Sequence, residues 1–282
     1  MSGMLILVPT PIGNLGDISP RAAEALAQAD FIAAEDTRVS IKLLNHLGLK
    51  KQLVSYHEHN KQESGPHILS RLQNGESCAL VTDAGTPAIS DPGEDLVRLC
   101  RENGVPVTAI PGPCAAITAL AMSGLPTGRF TFEGFLSVNN RSRREHLQSL
   151  LEETRTMIFY EAPHKLLTTL GDMQEAFGAD RPICLCRELT KLHEEAVKTT
   201  IDQALSYYQE NSPRGEYVLI VGGAAPKVQA APSMEACIGR VNALRQSGLS
   251  MKDAVKQVSK DAGIPRNTLY DAALQADRGE AT

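Results

Sequence analysis

The stretch Ser77–Pro87, SCALVTDAGTP, carries the pattern that decides the fold. Its first part, Ser77–Thr82, is a short apolar run, which predicts a buried strand. Its second part, from Asp83 onward, is a turn of mostly small residues. A turn without bulky side chains lets a ligand approach the backbone closely. We therefore expect a strand that ends in a ligand-binding turn.

Two further strands in the first half of the chain end in turns of the same kind. Met4–Pro9 runs into residues 9–14, PTPIGN, and Val107–Ile110 is followed by residues 111–115, PGPCA. Helical patterns separate the strands, and this alternation predicts a parallel sheet. Ligands of such a sheet bind outside the carboxyl ends of its strands. We therefore expect the three turns to line one pocket, although each one alone also fits an ordinary tight turn.

A break in composition at residues 123–128, SGLPTG, predicts the end of a first domain. Strands and helices alternate again from Phe130 to Val221, and a linker of small residues and prolines follows at 222–232. The tail beyond it has the pattern of a helix-turn-helix, which predicts contact with RNA; a purely structural pair of helices is the alternative. The sequence thus predicts an N-terminal α/β domain (1–124), a C-terminal α/β domain (125–226) and a small helical appendage (233–282).

Composition bounds the class of protein. Hydrophobic residues make up 42% and charged residues 22%, and no run approaches the roughly 18 apolar residues of a membrane helix. The net charge of −5 argues against a protein that merely coats nucleic acid, so any RNA contact must be a local patch. The six cysteines match neither a zinc site nor a redox pair, which predicts no metal and a reducing, cytoplasmic environment.

The segment 55–60, SYHEHN, is the polar loop with the most side chains that could take part in catalysis or binding. His57, Glu58 and His59 stand together in it, beside an aromatic residue and an amide. Such a loop can accept a proton, stack a base or hold a phosphate. A solvated loop without a function is the alternative.

Two segments carry cations that suit phosphate groups. Asp36 and Arg38 lie in EDTR at the end of a predicted strand, where the arginine could bind a phosphate; a helix-capping aspartate with surface charges is the alternative. The densest basic cluster follows the first strand of the predicted second domain. It could meet an RNA backbone or form a solvated face, and it comprises Arg141, Arg143 and Arg144.

Seven motifs, spread in order over nearly the whole chain, resemble the tetrapyrrole methylase superfamily. They are most similar to its RNA branch, the ribosomal RNA small subunit methyltransferase I family. The motifs are VPTPIGNLGDIS, AAEDTR, SYHEHN, VTDAGTPAISDPG, IPGPCAA, FYEAPHK and GEYVLIVGG. The resemblance implies S-adenosylmethionine bound in a cleft between two α/β domains of a homodimer. It also implies 2′-O-methylation of a cytidine ribose in the decoding region of 16S ribosomal RNA, with that RNA or the 30S subunit as partner.

The resemblance also implies which residues contact the cofactor. Ile12, Ala84 and Thr86 depart from the porphyrin-enzyme pattern, so contacts there are expected from the backbone. Asp83 precedes the matching turn and is added as a neighbour. The full set is Ile12, Asp83, Ala84, Gly85, Thr86, Ile89, Cys114, Ala115, Glu161 and Leu189.

Methylation of a ribose hydroxyl benefits from a base. The nearby polar residues offer Glu35, Asp36, His57, Glu58, His59 and Glu161. We take His57, Glu58 and Asp36 as the catalytic candidates, and Arg38, His59 and the arginine cluster as RNA contacts. Two other functions stay open at this point: a methyltransferase for a tetrapyrrole such as a porphyrinogen or corrin precursor, and a non-enzymatic RNA-binding adaptor.

Overall fold

The computed structural model describes residues 3–225 and 232–279. The chain forms two compact units, Met1–Ala224 and Ala225–Thr282. The first unit contains two five-stranded sheets and their helices. The predicted α/β class with a helical appendage is confirmed. Residues 226–231 of the predicted linker lie outside the described residues.

The first sheet is parallel throughout, with strand order β3-β2-β4-β1-β5. Its strands are β1 Leu5–Leu7, β2 Phe31–Ala34, β3 Gln52–Ser55, β4 Cys78–Val81 and β5 Val107–Ala109. Because the strands are parallel, all five carboxyl ends lie at one edge of the sheet. This edge therefore collects the turns that follow β1, β4 and β5.

Both faces of the first sheet are buried. On β2, Phe31 and Ala33 pack into one apolar cluster, while Ile32 and Ala34 pack into another. Apolar residues on both faces are typical of a parallel sheet covered by helices. The helices are α1 Pro20–Gln28, α2 Thr37–His46, α3 Lys61–Gln73, α4 Glu94–Glu102 and α5 Ala115–Met122.

Helix α1 begins as its sequence predicts. The Ser19 hydroxyl accepts a hydrogen bond from Ala22 N at 3.1 Å, and Pro20 occupies the first helical position. The cap gives a hydrogen-bond acceptor to an amide that has no partner within the helix. Proline is tolerated at the first helical position because an N–H there would have no partner within the helix.

The second sheet is mixed, with strand order β6-β7-β10-β8-β9. Only β6 and β7 run parallel; the other neighbours are antiparallel. The strands are β6 Phe130–Phe135, β7 Thr156–Glu161, β8 Pro182–Arg187, β9 Glu195–Thr200 and β10 Tyr217–Val221. Helices α6 Asn140–Ser149, α7 Leu166–Phe177 and α8 Ile201–Glu210 complete this half.

Helix α5 joins the two sheets. Ala116, Ala119 and Leu120 pack with residues of the second sheet, among them Ile158 and Cys186, in one buried cluster. The predicted domain boundary at 124/125 falls in the loop between α5 and β6. The division into two α/β domains stays a prediction, because the two sheets share this packed face.

The second unit is a three-helix assembly. Helices α9 Met234–Gln246, α10 Met251–Ala262 and α11 Arg266–Gly279 bury a core that includes Val241, Val255 and Leu269. Gly263 has φ 66° and ends α10, which allows the sharp turn into α11. None of the helices in residues 3–225 and 232–279 combines the length and apolar character needed to cross a bilayer.

Candidate functional site

A cavity of about 520 Å³ lies at the carboxyl edge of the first sheet. Its volume is within the roughly 300–1,000 Å³ typical of small-molecule sites. The three small-residue turns supply one wall, and the second sheet supplies the other with Phe135, Tyr160, Leu189 and Val218 among its residues. The cavity therefore lies between the two sheets of the first unit.

The three turns hold one another through their backbones. Thr10 N donates to Gly85 O at 2.9 Å, and Gly85 N donates to Thr10 O at 3.0 Å. The Thr86 hydroxyl donates to Pro113 O at 2.8 Å, which ties in the third turn. Gly85 has φ 83°, a conformation that costs other residues about 1–2 kcal/mol. The turns thus form one interlocked wall.

Gly112 permits the close approach of the first and third turns. A Cβ atom at this position would lie 2.8 Å from the Cβ atom of Pro9. No ordinary contact between carbons is that short, so a side chain here would push the turns apart. The glycine is required by the packing of the wall.

All the residues predicted to contact a cofactor line this one cavity. They come from five separate segments of the sequence, and the fold brings them together. They are Ile12, Asp83, Ala84, Gly85, Thr86, Ile89, Cys114, Ala115, Glu161 and Leu189. Their convergence agrees with the expected pocket, and their role as cofactor contacts stays a prediction.

A hydrogen bond and two residues with positive φ values fix the wall that the second sheet supplies. Ala116 N donates to the Tyr160 hydroxyl at 3.1 Å, and burial raises the pKa of Tyr160 to about 12. Leu189 stands between Glu188 and Thr190, whose φ values are 50° and 64°. Non-glycine residues persist in this region only when the surroundings hold them there, and such residues cluster at ligand sites.

Five acidic residues line the same cavity, and three of them, Glu35, Asp83 and Asp91, come from the first half of the chain; the others are Glu161 and Glu216. Asp83 N donates to a Glu35 carboxylate oxygen at 3.3 Å, and Asp36 N donates to an Asp83 carboxylate oxygen at 3.1 Å. Burial raises the pKa of Glu35 and of Asp83. Burial, together with the charges of those two neighbours, raises the pKa of Asp91 to about 6. The cavity therefore has a negatively charged side.

The proposed catalytic residues Asp36 and Glu58 do not line the cavity. Asp36 caps α2 by accepting from Arg38 N at 2.8 Å, and its side chain also pairs with the Arg38 guanidinium at 2.6 Å. The hydrogen bonds from Arg38 lower the pKa of Asp36 to about 2, which makes this carboxylate a poor base. Glu58 is exposed and pairs with Lys61 at 2.7 Å. The geometry therefore favours other residues as the base.

His57 follows β3 and lies outside the residues that line the cavity. Its Nδ1 atom is buried and has no hydrogen-bond partner among the described residues. It lies near enough to Glu35, which does line the cavity, to influence the pKa of that carboxyl in the lowering direction. A catalytic role for His57 stays a prediction.

The predicted RNA contacts divide into exposed and buried side chains. Arg38, His59, Arg141 and Arg144 are exposed. Arg143 is only 7% exposed and pairs with buried Asp172 at 2.6 Å, so it cannot act as a surface charge. Helix α6 turns its side chain toward α7, whereas Arg141 and Arg144 stay exposed. Contact between Arg143 and RNA stays a prediction.

The helical tail keeps several of its cations in ion pairs. Arg240 pairs with Asp261 at 2.9 Å, and Arg245 pairs with Asp277 at 2.6 Å. These pairs connect α9 to the other two helices. Contact between the tail and RNA therefore stays a prediction, and at least these two arginines have structural partners.

Sequence reasoning missed part of the site. Asp91 lies two residues beyond Ile89 in the same motif, so an acidic residue in that motif was an available signal. Tyr160 precedes Glu161 on β7 and carried no such signal. Residues of β10, such as Tyr217 and Val218, have only the sequence pattern of a buried strand.

The described residues contain no group of three or more His, Cys, Asp or Glu side chains placed to hold a metal ion.

Two family profiles match the chain. The profile for tetrapyrrole (corrin/porphyrin) methylases matches residues 4–205, and the profile for the RsmI C-terminal HTH domain matches residues 235–277. Among solved structures, a cobalt precorrin-4 methyltransferase superposes with a TM-score of 0.58 at 19% identity, covering 78% of this chain and 94% of that one. Diphthine synthase gives a TM-score of 0.58 at 13% identity, covering 78% and 90%. At these identities the likeness concerns the fold alone.

Curated relatives match over nearly their full length. A ribosomal RNA small subunit methyltransferase I from Synechocystis sp. is 47% identical and covers 98% of this chain and 99% of its own. The protein of that name from Escherichia coli O157:H7 is 45% identical, covering 97% and 95%. These matches and the profile over most of the chain agree with the fold and with the motifs that line the cavity. The chain belongs to the tetrapyrrole methylase superfamily, in its ribosomal RNA small subunit methyltransferase I family.

Proposed function

We propose that this protein transfers a methyl group from S-adenosylmethionine to the 2′-oxygen of a cytidine ribose in the decoding region of small-subunit ribosomal RNA. Full-length relatives named for methylation of that RNA support the substrate class. The observation that carries the chemistry is one cavity that combines three backbone-lined turns with five acidic residues, among them Asp91.

The residues that line the cavity fit S-adenosylmethionine. When bound, this cofactor supplies a methyl carbon on a positively charged sulfur. Ile12, Leu189 and Val218 offer apolar contact for a flat ring, and the turn at Gly85 offers backbone groups. The carboxylates give the cavity the sign of charge that a cationic ligand needs. The chain has no G-x-x-x-x-G-K-[ST] sequence, and such a loop would instead suit a ligand held by its phosphates.

We assign the base to Asp91. Glu35 and Asp83 each accept a hydrogen bond from a main-chain N–H, which partly offsets the rise in pKa that burial causes in each. Asp91 has a pKa of about 6, which lies close to neutral pH. A base with such a pKa is largely ionised at pH 7 and still attracts a proton. In this role Asp91 accepts the proton of the ribose hydroxyl while the chain holds that oxygen in place.

The test is methyl transfer from labelled donor to purified small subunits and, in parallel, to naked 16S RNA and to a porphyrinogen. We expect label in RNA, at a single cytidine that resists alkaline cleavage on its 3′ side because its 2′-oxygen is methylated. Label on a cytosine base would refute ribose methylation. Label only in the porphyrinogen would favour the tetrapyrrole reaction. Failure of the protein to bind S-adenosylmethionine in calorimetry would favour the RNA-binding adaptor.

We also propose that the protein works as a homodimer in the cytoplasm, where ribosomal subunits are assembled. The edge strand β6 supports a dimer, because Phe130 and Phe132 are 40% and 38% exposed on it. Apolar side chains on a sheet edge favour association. Sedimentation of the full chain tests this: a monomer at micromolar concentration would contradict it.

A further inference from the structure

A second cavity of about 200 Å³ adjoins the one described above. The two cavities share the lining residues Glu161 and His164. The smaller cavity lies where β6 ends and where α6 and α7 begin. Its remaining lining residues include Ser137, Asn140, Arg143, Lys165, Thr168 and Thr169.

Arg143 is fixed in the wall of this cavity. Its Nε atom donates to Asp172 at 2.6 Å, its Nη2 atom donates to the Asn140 side chain at 3.0 Å, and its Nη1 atom donates to Ser137 O at 3.3 Å. Three anchors hold the plane of the guanidinium in one orientation. A rigid guanidinium loses little rotamer freedom when it receives an anion.

The charge that the cavity can offer an anion comes mainly from Lys165, since the two arginines beside it are already paired. Asp172 is shared by Arg143 and by Arg144, at 2.6 and 3.0 Å, and Arg144 also pairs with Glu175 at 3.6 Å. Lys165 is half-buried, and no carboxylate among the described residues forms an ion pair with it. The cavity therefore contains an ammonium group that no ion pair among the described residues occupies.

The acidic residue of the lining is already satisfied. Glu161 accepts from Ala162 N at 2.8 Å through one oxygen and from the Thr169 hydroxyl at 2.5 Å through the other. The Thr168 hydroxyl lines the same cavity and is exposed. Helix α7 begins at Leu166 without a side-chain cap, which adds a partial positive charge at this end.

We infer that the smaller cavity binds the 3′-phosphate of the nucleotide whose ribose is methylated. This inference rests on the proposed function. In a nucleotide, the 2′-oxygen and the 3′-phosphate are attached to neighbouring carbons of one ribose. A phosphate site that shares Glu161 and His164 with the methyl-donor cavity would therefore place the 2′-oxygen at the boundary between the two. Lys165 supplies the mobile charge, and Arg143 supplies the fixed one.

The direct probe is cytidine 3′-monophosphate, with cytidine as its uncharged counterpart. The full chain should bind the phosphate form at least tenfold more tightly, as expected for a charge-assisted contact. Lys165→Met removes the charge and keeps the apolar stem, and it should abolish most of this difference. Lys165→Arg should retain it. Equal binding of the two probes by the wild-type protein would overturn the inference, whether or not the protein methylates RNA.

The same variants are then tested with small subunits. Lys165→Met should raise KM for the subunit about tenfold, reduce its salt dependence by about one phosphate contact, and leave the affinity for S-adenosylmethionine unchanged. Lys42→Met, which removes an exposed lysine of α2, is the matched control. Loss of S-adenosylmethionine affinity in Lys165→Met would instead assign the cavity to the carboxylate of the methyl donor. Wild-type KM in this variant would also contradict a phosphate site.

Discussion

Replacing Asp91 by asparagine should stabilise the protein and at the same time inactivate it. Burial and the charges of Glu35 and Asp83 raise the pKa of Asp91 from 3.8 to about 6. The folded state therefore holds a proton that the unfolded chain releases between those two values. As pH rises through this window, ionised Asp91 reduces the free energy of unfolding, and the reduction is complete above pH 6.

The size of the effect follows from the shift. A change of about two pKa units would correspond to roughly 3 kcal/mol in full, at about 1.36 kcal/mol per unit. Asp91 is partly exposed, so solvent screening reduces this to about 1 kcal/mol. Asp91→Asn should thus be about 1 kcal/mol more stable than wild type at pH 7.5 and nearly equal to it at pH 4.

Urea unfolding at several pH values measures this difference. Asp180→Asn, at an exposed position, serves as the control and should run parallel to wild type. In the same preparation, methyl transfer by Asp91→Asn should fall by about 10²–10⁴-fold, the range for loss of a general base. A purely structural aspartate would lose stability and activity together. A constant stability difference across pH, or an active and more stable variant, would refute the reasoning.

Three further predictions concern the wall, α6 and the tail. Gly85→Val should abolish S-adenosylmethionine binding in calorimetry, whereas Gly48→Val carries similar backbone strain, with φ 69° and open space around it, and should bind normally. Arg143→Met should lower the free energy of unfolding by about 3 kcal/mol in urea, because it removes one partner of buried Asp172; an unchanged midpoint contradicts that role. Deletion from Ser233 onward should spare cofactor binding and reduce transfer to small subunits, and full activity would show the tail to be dispensable.

Strands buried on both faces were predicted well from the sequence. The strand predicted at Ser77–Thr82 contains β4, Cys78–Val81, because every residue of β4 is buried and apolar. The edge strand β9 was missed, since four of its six residues are exposed and its sequence EAVKTT has no continuous apolar run. Helix α3 was also missed: it contains Pro66, and it follows a polar loop that hides its start.

In the site, too, features set by consecutive residues were predictable, whereas contacts between residues distant in the sequence were not. Turns such as the one at Gly85 were predictable because a small-residue turn after a strand is visible within a few residues. The state of Arg143 was not, because its partner Asp172 lies 29 residues further along, on another helix. Asp91 became notable only when the fold placed it near Glu35, which is distant in the sequence.

The mutual hydrogen bonds of Thr10 and Gly85 have a consequence for how such a site can be found experimentally. Both groups belong to the main chain, so shortening side chains leaves them in place. A conventional alanine scan across the three turns would score most positions as tolerant and would overlook the pocket. A scan that adds atoms, from glycine or alanine to valine, would detect it. In this wall, we expect the small residues to matter because they leave space for a ligand beside the backbone.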